Sequence, residues 1–254
     1  MSHRARERGV SLVELAIGLL ILSLIIGGLL VPLANQVEQS RNGQTQRQLE
    51  EIRDALIGFA LANGRLPCPA APNTTGIESF LAGSAATGGT CTNPYDGFVP
   101  AVTLGLSQVD AQGYAIDAWG LEQNRVRYAV TNSNSSAFTT RGEMRTRGMS
   151  ALFPDLYVCS GGTNIAAGEC PSGERLVVDA VAVIYSLGPN AASGGTSVDE
   201  RQNPNPFAAV PVDKAFVSRV RGAVGAGAAE FDDLVTWLSP NVLYSKMVSA
   251  GQLP

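Results

Sequence analysis

The sequence predicts an α+β protein in which one long N-terminal helix, apolar in its first half and amphipathic in its second, packs on an antiparallel sheet domain. Three features carry this. From Val10 to Ala34 the chain is an almost unbroken apolar run whose one ionisable residue is Glu14. Leu49, Ile52, Leu56 and Phe59 then recur at three- and four-residue steps, with Glu50, Glu51, Arg53 and Asp54 between them. That is the pattern of a helix with one apolar stripe. Downstream, short apolar or alternating runs bounded by Gly, Pro and Asn read as strands.

The apolar run of 25 residues would measure about 37 Å as a helix at about 1.5 Å per residue, against a hydrocarbon core of about 30 Å. Such a helix satisfies its own backbone groups, so a membrane-spanning segment is expected. Ahead of it, Met1 to Gly9 hold Arg4, Arg6 and Arg8 against Glu7. Basic residues beside a span stay in the cytoplasm, which places the rest of the chain on the far side. A secretory signal carries its small-residue cleavage site after the apolar region. Here Gly9 precedes it, so a cut at Gly9 would remove the charges and keep the helix.

Glu14 needs a reason to be there. An acid in mid-bilayer costs about 2.5 to 3.5 kcal/mol on insertion scales and usually has a partner or a function. The amine freed at Val10 by a cut after Gly9 would be largely protonated at neutral pH, since α-amino groups titrate near about 7.7 to 8.0. It could pair with Glu14 of a neighbouring chain.

The remaining elements follow in order. The amphipathic helix runs over 35–64 and stops at Asn63-Gly64, with Pro67 just beyond. Residues 68–115, rich in Gly, Thr, Ala and Pro, read as a long connection with a short helix or turn near Val102 to Val109. Arg125 to Val130 alternates like a half-buried strand with its arginines outward. Leu176 to Tyr185 is nearly all apolar and is expected to be a central strand; Phe231 to Leu238 is a third. Asn241 to Gly251 closes the chain as a helix, with Leu243, Met247 and Val248 on one side.

With 254 residues, 45% hydrophobic and 16% charged, the chain can build one substantial domain after the helix. Of 18 basic and 22 acidic residues, loss of the leader's three arginines and one glutamate leaves 15 and 21, a net charge near −6. That argues against a nucleic-acid binder, even with Arg141, Arg145 and Arg147 near Phe138, because Glu143 intervenes. The single histidine, His3, lies in the leader, which excludes a histidine base or histidine-held metal once the leader is gone. Asp117 has no carboxylate partner at short range and reads as fixing its turn. Trp119 and Trp237 read as core aromatics. No nucleophile elbow or phosphate loop occurs, so an enzyme is not expected.

All four cysteines follow the apolar run and allow three connectivities. The local pairing, Cys68 with Cys91 and Cys159 with Cys170, is favoured because each pair brackets a Gly/Thr/Asn-rich loop that needs tethering. Each bond would contribute roughly 3 kcal/mol.

Gly9-Val10-Ser11-Leu12-Val13-Glu14-Leu15 resembles the processing site of type IV prepilins and type II secretion pseudopilins. Gly64-Arg65-Leu66-Pro67, Asp117-Ala118-Trp119-Gly120, Tyr185-Ser186-Leu187-Gly188-Pro189-Asn190, and Asp232-Asp233 ahead of Trp237 are similar to the globular domain of the major pseudopilins. Val10 departs from the Phe or Met with which the family usually begins its mature chain. The insert with Cys159 and Cys170 and the closing helix suit a larger minor pilin.

The resemblance implies a type IV pilin fold with a leader over 1–9, an assembly helix over 10–34, its amphipathic continuation over 35–64, and a globular α+β domain over 65–254. It implies cleavage after Gly9 by a prepilin peptidase, methylation at Val10, and a role for Glu14 in assembly. The partners implied are other pilin or pseudopilin subunits, an inner-membrane assembly machinery, and membrane lipid before assembly. The location implied is a single pass of the inner membrane with the globular domain in the periplasm, then a filament. A tip adhesin or ligand-binding minor pilin, DNA binders included, is the alternative. Calcium is a further implication, since major pseudopilins hold it in the loop after the Ser-Leu-Gly strand. Asp199, Glu200 and Asn203 are the candidates here, for an ion that takes six to eight oxygens at about 2.3 to 2.6 Å.

Overall fold

The computed structural model describes residues 11–81, 83, 88–163, 165, 168–195, 197–203, 213–222 and 230–254, and for residues 26–33 the backbone alone. The chain is α+β, in the order α1 (Leu12–Asn63), β1 (Gly97–Phe98), α2 (Ala101–Leu104), β2 (Arg127–Val130), α3 (Ser133–Ser136), α4 (Glu143–Arg147), β3 (Leu156–Cys159), β4 (Arg175–Ala180), β5 (Ala182–Ser186), α5 (Val198–Gln202), β6 (Ala215–Val217), β7 (Leu234–Leu238) and α6 (Pro240–Ser249). It divides into two compact units, Met1–Gly43 and Gln44–Pro254.

Among the described residues no helix is long and apolar enough to cross a membrane. This overturns the expected inner-membrane pass with a periplasmic domain.

In the larger unit the stripe of α1 does what its spacing predicts. Leu49, Ile52, Leu56 and Ala60 are buried, while Phe59 is half-buried. They meet one face of an antiparallel sheet ordered β1-β2-β5-β7, through Tyr128, Val130, Ala182, Ile184 and Leu238, with Leu243 and Met247 of α6 in the same core. The alternate residues Ala129, Val183 and Tyr185 point the other way. They pack on Leu156, Val158 and Phe216 of a second sheet, ordered β4-β3-β6, in which β3 and β6 run parallel. The four-stranded sheet is thus covered on both faces, which is why β5 is buried throughout and apolar from Ala182 to Ile184.

α1 stops where the sequence says. Gly64 takes φ of 65°, a left-handed conformation that glycine adopts without steric cost, and its amide bonds the Ala60 carbonyl. α6 starts one residue before its expected position, with Ser239 accepting a hydrogen bond from the Val242 amide and Pro240 in the first turn. Leu243 and Met247 are buried, but Val248 is exposed and off the buried side.

Three strand expectations are corrected. Leu176 to Tyr185 is one extended segment serving two sheets: β5 is central, whereas β4 is an edge strand with Leu176 and Val178 exposed. The third strand shortens to Leu234–Leu238, because Phe231 instead pairs with Gly222. Arg125 does not face outward; it is buried, its Nε 2.6 Å from Asp110 Oδ2 and its guanidinium 4.3 Å over the Tyr114 ring. Burial opposes ionisation of Asp110, but the Tyr114 amide and Arg125 hold its carboxyl below the usual range.

Both disulfides are local, Cys68–Cys91 and Cys159–Cys170. The first lies in the main core beside Leu66 and Val99.

Candidate assembly surface and the motif cluster

Among the described side chains, those from Leu12 to Ile25 of α1 form an exposed apolar rod. Leu12, Val13, Leu15, Ile17, Leu19, Leu20, Ile21, Leu22, Leu24 and Ile25 are all exposed, from 51% at Ile21 to 87% at Leu12. Leu19 to Leu22 are consecutive, and four consecutive residues of an α-helix point to all its sides. A helix apolar all round belongs in an apolar environment, and surface of this extent marks an interaction site. Gly18 adds a flat spot, since a Cβ there would meet nothing within 4 Å.

Glu14 is exposed in the first turn of this helix. There a carboxylate is favoured by the positive end of the helix dipole. It is the one charge between Leu12 and Ile25. Gly9 and Val10, the expected processing site, lie outside the described residues.

The motifs scattered over the globular part come together. The carboxylate of Asp117 accepts from the Trp119 amide at 2.9 Å, from Asn124 Nδ2 at 3.0 Å and from Ser186 Oγ at 2.5 Å. Asn124 Nδ2 also donates to the Gly188 carbonyl at 2.6 Å. Gly188 sits at φ of 65°, and a Cβ there would fall 2.7 Å from the Asp232 carbonyl oxygen. The Asp-Ala-Trp-Gly turn, the Ser-Leu-Gly-Pro-Asn loop and Asp232 therefore form one buried node that fixes a turn, as expected of Asp117. Burial pushes its carboxyl above the usual range, outweighing the bonds from Ser186, Trp119 and Asn124. What joins the motifs was not legible, because Asn124 reaches Gly188 across 64 residues and Ser186 reaches Asp117 across 69.

Trp119 and Trp237 are both half-buried, and of the two it is Trp237 that joins a core as expected. Trp237 packs on the inter-sheet core and borders a groove of about 510 Å³ with Arg53, Ile57, Val242 and Lys246. Arg141 donates to Asn63, and Arg147 pairs with Glu143 along α4.

The three calcium candidates lie on and just after α5, but their oxygens serve protein donors. Asp199 accepts from the Gly162 amide at 2.7 Å and from Arg219 Nε at 2.6 Å. Glu200 closes a capping box with Ser197 and accepts from Asn190 and the Asp232 amide. Asn203 accepts from the Val217 amide at 2.7 Å and donates to Asp233 at 2.7 Å. Among the described residues no three His, Cys, Asp or Glu gather as a metal set. As arranged, these three do not offer the open oxygen shell that calcium takes, and Arg219 already supplies the positive charge beside Asp199.

Asp233 shows the electrostatics of this corner. Burial pushes its carboxyl well above the usual range, and nearby Asp232 and Glu200 add to that, against the bond from Asn203. Between its unfolded value of about 3.9 and its higher folded value, the folded state binds more protons, so stability falls as pH rises through that window. Asp233→Asn keeps an acceptor for Asn203 and removes the ionisation. It is expected to raise Tm at neutral pH by a few degrees, about 1 kcal/mol being worth about 2 to 4 °C in a domain of this size. It should also flatten the decline above about pH 4. Thermal melts of both proteins across pH 4 to 8 check this; a lower neutral Tm for the variant would contradict it.

Comparison of the chain with protein-family profiles, with curated proteins and with solved structures returned no match.

Proposed function

We propose that the chain is a structural subunit, a minor pilin or pseudopilin, that is cut after Gly9 by a prepilin peptidase and assembles into a filament of the type IV pilus or type II secretion kind. The observation that carries this reading is the exposed apolar stretch Leu12 to Ile25 of α1 with Glu14 as its one charge. Identical apolar rods packed side by side cover one another, and each then brings a carboxylate into an apolar bundle. The partner that a bundled Glu14 needs is supplied by the amine of Val10 on the next subunit.

The reading makes Gly9 a requirement of backbone access. A peptidase acting at the mouth of a helix must approach the chain closely, and glycine presents no Cβ there. Gly9→Leu, co-expressed with a prepilin peptidase, is expected to keep its full leader, while wild-type chain loses residues 1–9. Terminal sequencing reads the outcome. A Gly9→Leu chain that begins at Val10 as efficiently as wild type would contradict the reading.

A further inference from the structure

We propose that the outer edge of β7 binds an acidic peptide as a fifth strand of the four-stranded sheet, with the peptide's carboxylates set against Arg53 and Lys246. The inference stands on the globular unit alone and does not rest on the filament reading.

β7 ends the sheet β1-β2-β5-β7 and pairs with β5 over all five of its residues without a register shift. On its outer side, among the described residues, the backbone of Leu234 to Trp237 has no partner. Edge strands are usually blunted by lysine, proline or inward-pointing charge. Leu-Val-Thr-Trp-Leu has none of these.

This edge borders a cleft. Leu234 and Leu238 pack on the α1 side of the sheet, and Thr236 between them shares that face. There Thr236 and Leu238 meet Arg53 and Ile57 of α1 and Val242 and Lys246 of α6 around the groove of about 510 Å³. Ligand clefts typically measure about 300 to 1,000 Å³.

The chemistry of the cleft selects its occupant. A free strand edge presents backbone donors and acceptors at strand spacing, which an extended chain matches. Every second side chain of such a chain falls on the α1 face. Ile57 and the exposed Val242 suit an apolar side chain there. The two cations suit carboxylates. Lys246 is exposed and has no ion pair among the described residues. Arg53 has only Asp54, at 3.8 Å and with a 73% exposed side chain, a contact of the kind that contributes little. A second copy docked through the same edge would bring its own Arg53 and Lys246 to the cleft, four cations against two carboxylates, so a separate acidic peptide fits better.

Calorimetric titration of the full chain in a non-ionic detergent tests this, with the capped peptide Thr-Glu-Thr-Val-Thr-Glu-Thr as probe. Its Glu and Val side chains share one face and its threonines the other. The peptide is expected to bind, and its Lys-for-Glu counterpart to bind at least tenfold more weakly. In the R53E/K246E double variant this preference should reverse, an outcome that damage to the fold would not produce. Strand addition uses the N–H groups of one edge of the peptide only. Methylating the backbone nitrogens of Glu and Val in one peptide, and of the interior threonines in another, should therefore weaken one at least tenfold and leave the other near the parent. No binding of the parent peptide, a preference that does not reverse, or equal effects of the two methylations would each overturn the proposal. All four cysteines are paired, so Thr236→Cys supplies a free thiol on the edge. A disulfide dimer of that variant on mild oxidation, blocked neither by the peptide nor by its methylated forms, would assign the edge to a second copy and also overturn it.

Discussion

Glu14→Leu is expected to leave leader removal intact and to exclude the chain from filaments. As an isolated helix, α1 gains from this carboxylate only a dipole interaction of about 0.3 to 1 kcal/mol, and leucine would make the apolar rod more uniform. The effect appears only when rods are bundled. A positive amine at Val10 would then be enclosed among Leu12, Leu15 and their neighbours without its partner. Removing one partner of a buried ion pair typically costs about 3 to 5 kcal/mol, which is roughly a hundredfold to a few thousandfold in an equilibrium. Leader removal does not need the carboxylate, so the variant should be cut normally and then fail to co-purify with filaments. Glu14→Gln, which keeps an acceptor without the charge, should fall between. Wild-type incorporation of Glu14→Leu would refute the pairing and leave Glu14 as an ornament of the helix end.

Glu78→Ala is expected to destabilise the globular unit by about 3 to 5 kcal/mol. Arg65 follows the last turn of α1 and is buried, its guanidinium 5.1 Å from the Phe59 ring centre and 5.3 Å from that of Phe80. Glu78 meets it in a two-pronged bond, Nη1 to Oε2 at 2.8 Å and Nη2 to Oε1 at 2.7 Å. The same carboxylate accepts from the Cys68 amide at 3.2 Å, which ties the pair to the Cys68–Cys91 disulfide. Truncating Glu78 leaves a guanidinium sandwiched between two rings with no counter-charge. Replacing both, as Arg65→Met with Glu78→Leu, removes the charges together and should cost far less. Urea unfolding of the three proteins separates these cases. A cost for Glu78→Ala below about 1 kcal/mol would mean that water reaches Arg65 as it does an exposed pair.

What the sequence made legible was what depends on near neighbours. The stripe Leu49, Ile52, Leu56, the stop at Gly64 and both disulfide pairings are local patterns, and the structure has them. What it concealed depends on distant partners. Arg125 was read as outward because alternation registers polarity, not the Asp110 and Tyr114 that make its burial affordable. β3 and β6 were missed because they are four and three residues long and pair with each other across more than fifty positions. β4 and β5 looked like one central strand, since apolar composition alone does not tell a residue enclosed between layers from one on an open edge. The Asp117 node was legible as a turn but not as a meeting point of three motifs. The membrane pass was inferred from an almost unbroken apolar run of 25 residues; among the described residues no helix is long and apolar enough to cross a membrane.

The proposed assembly surface is Leu12 to Ile25 of α1, and a reconstruction of the assembled particle by electron cryomicroscopy tests that most directly. The expected result is a core of α1 helices with Leu12 to Ile25 enclosed by the same residues of other subunits, and the amine of Val10 within about 3 Å of a neighbour's Glu14 carboxylate. Particles held together through their globular units, with Leu12 to Ile25 touching no other subunit, would contradict it.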